Sequence, residues 1–513
     1  MVTPLGAAVG ARVSRWVSTR PMLRDRSAGV FALAAVVAIA LSFGFLVDSV
    51  NYDVWSAIVT FVVLVVVTAP ILKWLSTIDR DPREFNILVA ALVVKLLMSL
   101  ARYYMINVVY GGSADAATYH SGGVFMSAHI KAGYSNIDLG PFLEGFPSES
   151  RRMGALTGFI YLVTGPSQFS GFFVFSWFSY LGNLMIYRGF RRGFSEGNHR
   201  KFLYLVMFLP SMTFWPSSIG KEAWMMLNLG MMAYGAGVLL SRKPSAIGVV
   251  PLAVGFGGAM LVRPHMAMIL VLALAVGLGF LLLGGQSGVA VKSGRFRGTG
   301  TRLVMLGLLV VFVLAAASRI GGLVGRADSG SDSASGGNDV EAVLEETLQR
   351  SSQGGSSFDT SPVRSPEQVP GAVLSVLLRP YPWEARSANA LISALEGLFV
   401  AGLIVASWRS LKQLPGLIWR TPFLVFVAVY SLAFVIAFSN IGNAGILARQ
   451  RVQVFPFIMT MLAVPTVARD GSRKSSGGRS TDVVASPVPE PMLAVDQLGA
   501  AAVVDHAFGR AKS

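Results

Sequence analysis

Long apolar runs dominate this chain. Several proceed eighteen residues or more without a charged side chain, and about twenty apolar residues in a helix cross the roughly 30 Å of hydrocarbon in a bilayer. Charged residues make up only 14% of the 513, against about 25% in soluble proteins, so there is too little polar surface to cover a water-soluble globule. The chain has no cysteine, which excludes thiol catalysis, disulfides and cysteine-ligated metals. The fold class this predicts is all-α, a polytopic helical membrane protein. A soluble enzyme, a disulfide scaffold and a disordered chain are excluded.

Reading the apolar runs against their flanks predicts twelve spans, at 29–47, 53–77, 86–106, 168–188, 201–216, 222–240, 246–262, 266–284, 303–322, 388–408, 421–439 and 451–468. The net charge of +16 would point to nucleic acid in a soluble protein. Here it has a different meaning, because basic residues accumulate in cytoplasmic loops. With the N-terminus inside, and basic residues at span ends counted with the nearer side, 28 of the 43 Lys and Arg fall on the cytoplasmic side and 13 outside, and Lys95 and Arg102 lie within the third span. The expected organisation is a basic cytoplasmic tail over 1–28, a bundle over 29–468 with outer loops 107–152 and 323–387, and a disordered cytoplasmic tail over 469–513. The first apolar run is about 19 residues, longer than a signal h-region, and no small-x-small site follows it, so it reads as an uncleaved helix. Residues 153–166 are apolar but too short to cross, and read as a half-embedded or interfacial helix.

Polar residues at membrane depth are costly and invite a functional reading. In this topology they gather on the outer face. The first outer loop carries Asp115, Tyr119 and His120. The turn between the fifth and sixth predicted spans reads Phe-Trp-Pro-Ser-Ser-Ile-Gly-Lys221-Glu222, and the next outer turn is Arg263-Pro-His265. The second large loop ends Arg379-Pro-Tyr-Pro-Trp383-Glu384, and the last turn closes with Arg449-Gln-Arg451. An isolated carboxylate such as Asp115 beside His120 suits a general base, and on a helix Asp115 and Tyr119, four residues apart, share a face. Lys221, Arg263, Arg449 and Arg451 supply positive charge where a lipid phosphate would sit, and arginine's planar fork suits bidentate phosphate binding. The aromatics Trp215, Tyr381 and Trp383 suit a sugar face or an interfacial belt. No His-x-x-x-His or similar ligand set is present, so no metal site is expected. Lys95 and Arg102, seven apart on one face of a predicted helix, read as structural.

These motifs resemble the GT-C superfamily of integral membrane glycosyltransferases, which take sugars from polyprenyl-phosphate donors. The run Asp115-Ala-Ala-Thr-Tyr119-His120 is similar to the acidic motif of that family's first large outer loop. The runs ending Lys221-Glu222 and Trp383-Glu384, with Arg449-Gln-Arg451, are similar to those of bacterial envelope-glycan members. Two departures stand out: a single Asp replaces the paired acid of many members, and the acidic loop follows the third predicted span rather than the first. The resemblance implies that Asp115 deprotonates an acceptor hydroxyl, which attacks the anomeric carbon with inversion. Arg263, Lys221 and an arginine of the 449–451 pair would meet the charge on the leaving phosphate. It implies a polyprenyl-phosphate-linked sugar, a glycan or glycolipid acceptor and membrane lipid as partners, no nucleic acid, and no cofactor, with metal dependence left open because some members have it.

Two further readings stand beside this one. A polymerase or ligase of lipid-linked repeat units needs much the same groups. A transporter or lipid flippase predicts charged or unwound sites near the bilayer midplane and a pseudo-repeat, whereas these polar motifs gather at one rim. A non-catalytic scaffold is the blandest alternative.

Overall fold

The computed structural model describes residues 52–282 and 363–465, apart from short breaks at 80, 113, 135–137, 141, 144–147, 364, 386–387 and 440. The predicted spans 29–47 and 303–322, both tails and most of the second large loop lie outside the described residues. The described residues are helical and contain no strand. By length and composition, four stretches suffice to cross a membrane: Tyr52–Ile78, Arg83–Val109, Gln168–Gly193 and Pro264–Leu282. Ala246–Val262, Ala390–Ala406 and Pro422–Phe438 are shorter apolar helices.

In chain order, α1 is Tyr52–Asp79, α2 Pro82–Tyr104, α3 Asp115–Lys131, α4 Ser148–Thr164 and α5 Gln168–Gly193. They are followed by α6 His199–Phe208, α7 Pro210–Phe214, α8 Lys221–Leu239, α9 Val249–Val262 and α10 Pro264–Leu282. After the undescribed segment come α11 Val369–Leu378, α12 Ala388–Ala406, α13 Trp408–Leu411, α14 Leu414–Ile418, α15 Pro422–Phe438, α16 Ala444–Gln450 and α17 Phe455–Leu462. Local chemistry sets several starts: Asp81, Ser167, Asn198 and Asn443 each accept a backbone N–H from the first turn that follows, the usual work of an N-cap.

Two expected spans take a different form. The run 201–216 is not one helix but α6 and α7, parted at Leu209, because Pro210 has no N–H and its ring excludes the preceding carbonyl. The run 451–468 opens with a 3-10 turn, Arg451–Gln453, and continues only as the eight-residue α17. The short run 153–166 is a helix that begins earlier, at Ser148.

Helices α5 and α8 form the centre of the bundle. Gly182 faces Gly230 and Gly189 faces Gly237, each so close to the partner backbone that no Cβ fits between them. Both pairs recur at a spacing of seven, two turns along one face, and small residues let membrane helices approach closely. Around this seam pack buried aromatics, including Phe172, Phe175, Tyr180, Tyr187, Phe190 and Phe202.

Charges sort to the two ends of the bundle. At the end where α1 and α8 begin and α2 finishes, Ser167 donates to the carbonyl of Asp53 at 3.3 Å and Tyr103 stacks on Phe169 at 4.5 Å. At the opposite end three basic residues are paired: Arg191 with Glu84 at 2.7 Å, Arg200 with Asp81 at 3.1 Å, and Arg242 with Glu196.

Gly230→Val should separate α5 from α8 and cost about 1–3 kcal/mol, as overpacking of a tight contact does. Gly257→Ala, where an added Cβ meets nothing within 4 Å, should leave the melting temperature in detergent unchanged or slightly raised.

Candidate functional site

The end where α2 finishes and α8 begins carries the polar pocket. Helix α2 runs into a π turn, Met105–Val109, a form often found at functional sites. Gly111 and Gly112 then take φ of +58° and +80°, a left-handed turn that glycine makes without strain. This reversal delivers Asp115 to the first turn of α3. The pocket encloses about 370 Å³ and is lined by Arg102, Ile106, Tyr110, Ala114, Asp115, Ala116, Tyr119, Trp215, Ser218, Ile219, Gly220, Glu222 and Arg449. Three segments far apart in sequence therefore meet around one space.

Asp115 and Tyr119 both face it from α3, as their spacing predicts. The Asp115 carboxylate is mostly exposed, and its ion pair with Arg449 is long, 3.8 Å. Tyr119 is buried, and burial raises its phenol pKa, with Asp115 and Glu222 pushing it further the same way. Glu222 accepts from Arg263 at 2.9 Å, while the other terminal nitrogen of Arg263 is buried without a partner. Lys221 begins α8 beside this pair. Burial first, and the Arg263 guanidinium next, hold its ammonium below the ordinary lysine pKa.

Arg102 is the residue that sequence reasoning set aside. Its side chain is 7% exposed, and its guanidinium lies over the rings of Phe214 at 5.0 Å and Trp215 at 5.1 Å. Among the described residues it makes no hydrogen bond or ion pair, and its Nε is buried and unsatisfied. Arg449 lies over Trp215 as well, at 5.9 Å, so two guanidinium groups flank one indole at the pocket wall. The pocket carboxylate that acts on the Arg102 charge, Glu222, is also bonded by Arg263, so an anion entering this space would offset the cost of burying that charge. The signal that could have found Arg102 was available: an ionisable residue inside an apolar span is a functional candidate by default.

The other expected residues lie elsewhere. His120 points away from the pocket, with Nδ1 2.7 Å from the Tyr161 hydroxyl; burial lowers its pKa, opposed by Asp53. His265 follows Arg263 at the start of α10 and packs near Phe438, outside the pocket lining. Arg379 pairs with Glu384 at 3.2 Å and lies over Tyr381, which stacks on the exposed Trp383 at 5.0 Å. This cluster is separate from the pocket. Arg451 is fully buried; it donates to the carbonyls of Arg379 at 2.7 Å and Ser393 at 3.2 Å and pairs with Glu396 at 3.3 Å. That arrangement ties α11 and α12 to the turn before α17, and Arg451 does not line the polar pocket. Among the described residues no three His, Asp or Glu gather so as to hold a metal ion.

An apolar groove adjoins the pocket at Trp215. Its near part, about 290 Å³, is lined by Tyr104, Val109, Phe214, Trp215 and Ile392 among others. Its far part, about 590 Å³, is lined by Tyr204, Phe208, Leu395 and Phe399. Pro210, Ile392 and Glu396 border both parts. Arginines at one end and a lengthy apolar trough beyond them suit an amphiphile with an anionic head. No family model, curated protein or solved structure matches this chain.

Glu222→Gln should leave Arg263 buried without its counter-charge and cost about 3–5 kcal/mol. Adding Arg263→Met should recover part of that loss, read as a coupling in a double-mutant cycle of thermal unfolding in detergent.

Proposed function

We propose that this protein is a membrane glycosyltransferase that moves a sugar from a polyprenyl-phosphate donor to an envelope glycan or glycolipid acceptor. In this reading it spans the membrane twelve times with both termini in the cytoplasm, and the pocket opens on the outer face. The observation that carries it is Arg102: a buried, unpaired guanidinium at the wall of a polar pocket that continues into an apolar groove. A phosphate at Arg102 and Arg449 with its prenyl chain in the groove would match both charge and polarity.

The chemistry then follows. Asp115 takes the proton from the acceptor hydroxyl, and that oxygen attacks the anomeric carbon. The bond from this carbon to the phosphate oxygen breaks, and the phosphate leaves with the electron pair. Its growing negative charge meets Arg102 and Arg449, which are fixed before reaction by the ring of Trp215; preorganised charge of this kind is a large source of rate acceleration. One displacement inverts the anomeric centre.

A transporter or flippase is the second reading, and one observation favours it. Lys95, Glu396 and Arg451 are buried within the bundle around the interrupted helix pair α6–α7, and broken helices with buried charges are frequent in transporters. Those charges are bonded to protein groups, however, whereas Arg102 makes no hydrogen bond or ion pair among the described residues.

Asp115→Asn should lower transfer about 10²–10⁴-fold, the share a general base contributes, with the lipid-linked sugar accumulating in cells where the variant reaches the membrane at wild-type levels. Arg102→Gln should do the same through donor binding. Loss of long polymer with single lipid-linked repeats piling up would indicate a polymerase, and normal glycan from Asp115→Asn would overturn the catalytic assignment.

A further inference from the structure

At the interruption between α6 and α8, three freed backbone groups find partners on other helices, while the hydroxyls of Thr213 and Ser217 bond carbonyls within the segment. Pro210 and Pro216 bracket α7. Pro210 has no N–H, so the carbonyl of Val206, four residues earlier, loses its helical donor; the side-chain amide of Asn183 on α5 donates to it at 3.3 Å. The chain turns at Leu209, so the N–H of Ser211 leaves the α6 ladder; the Glu396 carboxylate on α12 accepts it at 2.6 Å, and accepts the Ser211 hydroxyl too. Pro216 has no N–H either, so the carbonyl of Met212 lacks its donor; the Lys95 ammonium on α2 donates to it at 2.6 Å and to that of Thr213 at 3.3 Å. Lys95 makes no ion pair with a carboxylate among the described residues, and its side chain is buried. Two turns further along the same face of α2, Arg102 stacks on Phe214 and Trp215, the residues that follow those carbonyls.

We propose that Lys95 and Glu396 are positioning residues for the anion pocket. An unsatisfied backbone group away from water costs free energy comparable to a lost hydrogen bond, so α7 keeps its place only while both side chains hold its free groups. Helix α7 carries Phe214 and leads into Trp215, the wall shared by pocket and groove. The two charges therefore act through Trp215 on Arg102, which is why they lie beside the site without lining the polar pocket (Glu396 borders the groove alone). The link to lipid phosphate rests on the function proposed above; the link to α7 does not.

The test uses the full-length protein in detergent with two readouts. Hydrogen–deuterium exchange over residues 210–220 reports the placement of α7, and titration with farnesyl monophosphate reports the pocket. Lys95→Met and Glu396→Gln should raise exchange over 210–220 while leaving α5 and α8 protected, and should weaken farnesyl monophosphate binding about tenfold, equivalent to about 1.4 kcal/mol. Lys95→Arg, which keeps donors at that place, should restore both readouts. The exchanged pair Lys95→Glu with Glu396→Lys should not, because each charge serves a backbone group of fixed polarity rather than its opposite number. Wild-type exchange over 210–220 in Lys95→Met and Glu396→Gln, or recovery in the exchanged pair, would overturn the proposal. Raised exchange with no farnesyl monophosphate binding by the wild type would support the positioning role and overturn the lipid-phosphate reading instead. Should Lys95→Met not fold, Lys95→Arg and Glu396→Gln carry the same comparison.

Discussion

Inside hydrocarbon no water can bond a peptide group, so wherever a helix stops the protein must supply the missing partners. This requirement governs the described bundle. Where a helix runs unbroken, as in α5, apolar packing and close-set glycines dominate, with a few side-chain hydrogen bonds such as Tyr180 to the Leu88 carbonyl. Where Pro210 and Pro216 stop them, three polar side chains from α2, α5 and α12 converge on the freed groups. Among the described residues, Lys95 and Glu396 are thus buried charges that serve one interrupted helix. Arg451 belongs to the same economy: its guanidinium bonds three carbonyls and the carboxylate that holds Ser211.

The two ends of the bundle use charge differently. At one end Glu84, Asp81 and Glu196 each have a basic partner, and the pairs pin neighbouring helices. At the other end pairing is incomplete. Arg449 reaches Asp115 only at 3.8 Å, Arg263 keeps one nitrogen unsatisfied, and Arg102 has stacked rings where a carboxylate would be. Stacking satisfies the faces of a guanidinium but not its in-plane donors, so those donors remain available to an anion.

Apolar length and charge made the helical membrane class legible in the sequence, and motif spacing brought Asp115, Tyr119, Glu222 and Arg449 into consideration. The pocket gathers these four from three separate segments. Continuity was harder to read. The run 201–216 has the hydropathy of a span, and the two prolines that interrupt it act through hydrogen bonds to distant helices, which a local window does not contain. His120, Trp383 and Arg451 had the right residue types in the right loops. Their side chains are committed elsewhere: His120 to Tyr161 and Arg451 to Glu396 and three carbonyls, all remote in sequence, and Trp383 to the neighbouring Tyr381. Residue type and predicted side of the membrane do not encode such commitments.

Lys95 and Arg102 make the same point within a single helix. Both are long cations on one face of α2, seven residues apart, and on sequence grounds they read alike. The segment packed against them differs along its length. Opposite Lys95 it presents the Met212 carbonyl, left without its helical donor by Pro216, and the Thr213 carbonyl beside it, and a compact ammonium with three donors fits both. Opposite Arg102 it presents the rings of Phe214 and Trp215, on which a flat guanidinium lies while its edge faces the pocket. One cation is thereby consumed by the fold and the other keeps its edge toward the pocket, and the interrupted helix, rather than α2, decides which is which.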